Sequence, residues 1–147
     1  MQHIKKKISH FLWRWVQEIV APKGVYRNWE RQEIPTHMPE HVDYSILVWN
    51  PSSTSFLKEY AKFIKNNDNL KIFLINIDAF STSRGTEIAK RFLTATQCLM
   101  AIDESTTIKN PEAKRTKNIV TLGEMAKYRR ILTGSPVTKS PLDLFKQ

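Results

Sequence analysis

Short apolar runs alternate along the chain with stretches of helical periodicity. The runs occupy positions 18–21, 44–49, 71–77, 97–103 and 130–133. Several are continuously apolar rather than alternating, which is how a strand covered on both faces reads. Between them, Phe56, Leu57, Tyr60, Ala61, Phe63 and Ile64 mark one helical stripe, and Ile88, Ala89, Phe92 and Leu93 mark another. Strands and helices of these lengths in alternation predict α/β units around a mainly parallel sheet. Ligands in such sheets bind beyond the carboxyl ends of the strands, so the residues that follow each run are the candidates for chemistry. Two helix starts are signed by a capping residue before proline: Asn110-Pro111, and Ser140-Pro141 with Asp143 after it. Near the amino end, Ile4, Ile8, Phe11, Leu12 and Trp15 fall at helical spacing beside lysines. Positions 1–17 are therefore read as an amphipathic segment that packs on the remainder, with attachment to a membrane surface as the alternative. Near the other end, Leu142, Leu144 and Phe145 call for a surface to cover them, and the sequence reads as cut short there.

Composition narrows the class. With 147 residues, 41% hydrophobic and 25% charged, the chain is of ordinary globular make-up and close to one domain in length. Its 23 Lys+Arg against 14 Asp+Glu give a net charge of +9, which points to phosphate-rich partners, nucleic acid first, or else to a solvated basic surface. The single cysteine, Cys98, cannot form an internal disulfide and reads as a small core residue in a reducing, cytoplasmic setting. No apolar run approaches the roughly 20 residues of a bilayer helix. Arg14 and Glu18 interrupt any signal-peptide pattern. His37 and His41 have Pro39 between them and no third ligand nearby, so a metal site there is not expected.

The most informative segment is Leu99-Met100-Ala101-Ile102-Asp103-Glu104-Ser105-Thr106, in which an apolar strand ends in two adjacent carboxylates. Nucleotide hydrolysis uses such a pair, one acid holding Mg²⁺ at the phosphates and its neighbour polarising the attacking water. By itself such a pair is more often a polar turn or a cap. After it come Ile108-Lys109-Asn110-Pro111 and a basic helix beginning Glu112-Ala113-Lys114-Arg115. Further on, a strand ends in Ile131-Leu132-Thr133-Gly134-Ser135-Pro136, with Leu142-Asp143-Leu144-Phe145 behind it. Upstream, Ile19-Val20-Ala21-Pro22-Lys23 leads to Asn28-Trp29, and Leu74-Ile75 leads to Asn76-Ile77-Asp78-Ala79.

This ordered set, spanning positions 18–147, resembles the first motor lobe of superfamily-two helicases, specifically the Swi/Snf-type DNA translocases and their compact phage-type members. The resemblance implies an α/β RecA-like three-layer sandwich, here a partial lobe at 18–147. It implies coupling of ATP hydrolysis to movement on double-stranded DNA, with ATP and Mg²⁺ as cofactors. Carried over by position, it assigns Asp103 to Mg²⁺ and Glu104 to the hydrolytic water. Thr133, Gly134 and Ser135 would link nucleotide state to DNA. Pro22, Lys23, Asn28 and Lys109 would lie along the DNA face. Trp29 reads either as part of that face or as a core aromatic. Lys109 is a DNA contact or a solvated lysine, and Asn110 is expected to cap the basic helix.

Other parts of the family pattern are missing from these residues. None of the four glycines is followed by lysine, so there is no Gly-x-x-x-x-Gly-Lys-[Ser/Thr] phosphate loop. Nor is there a second lobe to supply an arginine finger, whose loss alone removes about 10³- to 10⁵-fold in rate. The expectation is a lobe inactive alone, with completion in trans by a second polypeptide as one version of it. The alternative is a non-catalytic DNA-binding or regulatory module that keeps the basic face.

Overall fold

The computed structural model describes residues 16–66, 69–95, 97–108 and 110–133. Its strands are β1 (Val16–Ala21), β2 (Tyr44–Val48), β3 (Leu70–Asn76), β4 (Cys98–Asp103) and β5 (Tyr128–Leu132). They form one sheet in the order β2-β3-β1-β4-β5. Every pairing is parallel, with Ile19 beside both Leu74 and Ala101. The expected α/β architecture is therefore present, and each carboxyl end points to the same edge.

Alternation along the strands sorts the core into two layers. On one face, Val20, Phe73, Ile75, Met100 and Ile102 pack under three helices: α2 (Phe56–Lys65), α3 (Ser83–Ala95) and α4 (Lys114–Met125). Helical segment α1, which precedes β2, is built of Tyr26–Asn28, a π-helical turn Trp29–Glu33, and Ile34–His37. It covers the opposite face, where Tyr26 and Ile34 meet Ile19, Ala21, Ile72, Leu74 and Ala101. Aromatic rings knit the helical side together: Phe92 lies 5.1 Å from Phe73 and stacks on Phe63 at 6.0 Å. Cys98 is buried in this layer, as its apolar neighbours indicated.

Three features go beyond the bare sequence pattern, and one of them corrects it. The last apolar run lies in β5, which is exposed along its whole length, with Tyr128, Ile131 and Leu132 between 36% and 41% accessible. It is an edge strand, and it starts earlier than the apolar run because Arg129 and Arg130 can sit in a solvated edge. Asn110 does not cap α4. Its Oδ1 accepts the Glu112 N–H at 3.0 Å in a local turn, and the helix begins only at Lys114. The basic start of α4 is also turned partly inward. Arg115 Nη1 donates to Asp78 Oδ1 at 3.2 Å and Nη2 to the Thr107 carbonyl at 3.3 Å, while Asn118 Nδ2 donates to the Phe80 carbonyl at 2.7 Å.

Positions 1–15, including the amphipathic stripe, and the helix expected from Ser140 lie outside the described residues. Among the described residues, no helix is long and apolar enough to cross a membrane.

Candidate functional site at the carboxyl edge of the sheet

Side-chain alternation sets the aim of Asp103. It follows Ala101 on the face that α1 covers, so its half-buried carboxylate points towards α1. There the Trp29 indole Nε1–H donates to Asp103 Oδ2 at 2.8 Å. Neither sequence reading of Trp29 anticipated this. The ring packs partly against the core, and its polar edge reaches the acid that ends β4.

Glu104 leaves the strand in a conformation that only glycine adopts freely. Its φ is +53°, the only positive φ among the described non-glycine residues. Several bonds hold it there. Its N–H donates to the Leu132 carbonyl at 2.8 Å, and its carbonyl accepts the Thr107 N–H and hydroxyl, each at 3.0 Å. Its exposed carboxylate accepts from Thr106 Oγ1 at 3.3 Å and from Thr133 Oγ1 at 3.4 Å. Backbone strain held in place by surrounding bonds is a mark of functional positions. Glu104→Gly is expected to stabilise the fold by about 0.5–1 kcal/mol, the relief of left-handed strain less the entropy of glycine. A urea denaturation midpoint higher than wild type is the check.

The other assigned positions divide. Thr133 closes on Glu104, so two residues distant in sequence share one site at the ends of β4 and β5. The Pro22 carbonyl accepts the Val25 and Tyr26 N–H groups at 2.8 and 3.0 Å, making the turn from β1 into α1. Lys23 on that turn is exposed. Asn28 is engaged within α1, its Nδ2 donating to Glu33 Oε1 at 3.4 Å. Lys109, Gly134 and Ser135 lie outside the described residues. The Asn76-Ile77-Asp78-Ala79 segment at the end of β3 has a structural meaning: the Asn76 side-chain Oδ1 accepts the Ala79 N–H at 3.0 Å, and Asp78 holds Arg115.

The donor set fits a small hard cation. Mg²⁺ is commonly held by one or two carboxylates, with waters and phosphate oxygens completing an octahedron. Asp103 and Glu104, with the Thr106 and Thr133 hydroxyls beside them, supply oxygen donors only. Among the described residues, no three His, Cys, Asp or Glu side chains gather, so an all-protein cage for a transition metal is not formed there.

An all-parallel sheet covered on both faces, with paired acids at the carboxyl end of an inner strand, is an α/β lobe of the RecA-like class. Residues 12–146 match the SNF2-related domain, and the chain belongs to that family. Among solved structures it is similar to a Sulfolobus solfataricus SWI2/SNF2 ATPase core in complex with dsDNA, with a TM-score of 0.60 and 24% sequence identity. That likeness extends over 99% of this chain and 26% of the other, so the chain spans about a quarter of that structure's length. No curated protein matches the sequence.

Proposed function

We propose that the chain is part of the first lobe of a Swi/Snf-type motor that couples ATP hydrolysis to movement along double-stranded DNA. The observation that supports this best is the carboxyl edge of the sheet, where Asp103 ends β4 and strained Glu104 follows it with its carboxylate on the Thr133 hydroxyl. Asp103 would hold Mg²⁺, which when bound neutralises phosphate charge during transfer. Glu104 would orient and deprotonate the attacking water. Through its hydroxyl on Glu104, Thr133 would tell the acid pair what the segment with Gly134 and Ser135 is doing. Pro22, Lys23, Asn28 and Lys109 would follow the DNA backbone, with Lys23 the exposed cation on the β1 turn.

The 147 residues contain no phosphate loop, so that loop and the arginine finger are supplied from outside them, by a second polypeptide or by further sequence of the same motor. Alone, these residues bind DNA without turning over ATP. A cytoplasmic, DNA-associated location goes with this reading.

Fluorescence anisotropy of a labelled duplex across a salt series is the test. The expected result is binding whose logarithm falls linearly with log salt, by about 0.9 for each phosphate neutralised. Lys23→Ala reduces that slope by about one, and Glu104→Gln leaves binding intact. Absence of binding at about 50 mM salt overturns the DNA half of the proposal.

A further inference from the structure

We infer that Trp29 is a positioning residue for the divalent cation, fixing Asp103 through its indole N–H so that the second carboxylate oxygen stays available for the metal. The inference rests on the acid-pair reading above and adds a group from another element to it. Two independent features point to Trp29. The first is the 2.8 Å bond from Nε1 to Asp103 Oδ2, made by a half-buried ring that packs on the sheet. The second is the backbone that delivers the ring. Trp29 opens the π-helical turn of α1, its carbonyl accepting the N–H of Ile34 instead of the residue before it. Tyr26 and Ile34, on either side of this wide turn, are both buried against the sheet. The ring is thus set from two anchors, and single π turns in helices recur at functional sites.

The physical consequence is orientation. A carboxylate at a strand end can rotate about its terminal torsion, and a cation bound by only one or two such groups is sensitive to that freedom. An N–H on one oxygen fixes the plane and leaves Oδ1 for the cation. Partners of this kind, which touch the ligand and not the metal, typically set affinity by 10- to 100-fold. The bond also ties α1, which follows the Lys23 turn, to the acid pair. A displacement of α1 by DNA would therefore be felt at Asp103.

The probe is Mn²⁺ added to the whole chain, followed by broadening of the tryptophan indole N–H resonances. The sequence has four tryptophans, and the Trp29 signal is assigned by backbone-to-side-chain correlation in the wild-type chain. Trp49, buried among other aromatics, serves as the internal reference. Three results are expected together. Mn²⁺ broadens Trp29 ahead of Trp49, Asp103→Asn abolishes that broadening, and Trp29→Phe weakens Mn²⁺ binding about tenfold by water-proton relaxation. Mn²⁺ binding that needs Asp103 but is unchanged in Trp29→Phe overturns the positioning role and leaves the acid-pair reading standing. Binding that ignores Asp103→Asn overturns both. A metal-free measurement covers the case in which Trp29→Phe fails to fold: in Asp103→Asn the Trp29 indole proton moves upfield as its charged acceptor is lost. An unmoved proton there overturns the inference.

Discussion

Glu18→Leu raises the stability of the fold at neutral pH by at least about 2 kcal/mol and removes this group's share of the pH dependence. Glu18 lies in the central strand, fully buried, between Phe73 and Met100 of the neighbouring strands. Neither carboxylate oxygen has a hydrogen-bond partner, and the buried hydroxyl of Tyr60 also lacks one. An unpaired buried polar group costs about 1–3 kcal/mol, and leucine fills a similar volume without it. Burial also pushes the Glu18 carboxyl well above the ordinary carboxylate range, because the anion cannot be solvated there. Burial likewise raises the Tyr60 phenol, to about 12, with the Glu18 charge adding to the rise and Arg91 opposing it.

In the unfolded chain the Glu18 carboxyl loses its proton near the usual value of about 4.3. Above that point the folded state still binds a proton that the unfolded state has released, so rising pH favours unfolding. The slope is about 1.4 kcal/mol per pH unit and ends where the folded-state carboxyl itself titrates. Wild type should therefore be most stable near pH 4 as far as this group is concerned, and lose stability towards neutrality. Urea midpoints from pH 4 to pH 8 are the check, and a flat wild-type profile in that window would falsify the account.

Gly85→Ala is the second large effect, of opposite sign. A Cβ built on Gly85 would lie 2.3 Å from the Ala79 carbonyl oxygen and 2.7 Å from its Cβ. Both are parts of a tight turn that has no flexible side chain to give way. Helix α3 thus rests backbone to backbone on the Ile77–Ser81 3-10 turn, where the Thr82 hydroxyl bonds the Ala79 carbonyl and accepts the Gly85 N–H. Overpacking of this kind costs about 1–3 kcal/mol and more when backbone must move. A loss of about 3 kcal/mol is expected in denaturant unfolding. The same displacement should disturb Asp78 and its ion pair with Arg115, visible as a shifted Arg115 side-chain resonance. An alanine variant as stable as wild type would show that the close approach is not required.

The inner strands were legible because a strand covered on both faces has to be apolar at successive positions, as 72–75 and 99–102 are. The carboxyl-edge rule directed attention to the strand ends, and the flanking motifs, through their resemblance, singled out Asp103 and Glu104. What stayed illegible depends on partners remote in sequence. The indole of Trp29 looks like core until β4 is folded beside it, and Arg115 looks solvated until Asp78 arrives. Glu18 sat inside an apolar run and was passed over as its edge. The exposure of β5 was not legible because burial depends on what lies beyond a strand, which its own residues do not encode. Asn110 has the right neighbour in Pro111 for a helix cap, yet its side chain closes a turn first and delays the helix. The left-handed backbone of Glu104 had no signal at all, since that conformation is usually marked by glycine or asparagine.

The order of the sheet bears on how the chain is born. The strand at its centre is the first of the five to be synthesised, and Gln17 finds its partners only at Ile72 and Leu99. At about 5–20 residues per second, a nascent β1 waits on the order of 3–10 s before β3 exists to pair with it. During that interval Ile19, Val20 and Ala21 are an unpaired apolar segment, the kind that aggregates unless a charge interrupts it. Glu18, ionised in the unfolded chain, is that charge. The carboxylate that weakens the finished fold protects the unfinished one. Glu18→Leu should therefore melt higher and yet precipitate more during refolding from urea, a pair of opposite changes that light scattering and thermal denaturation can read on one sample.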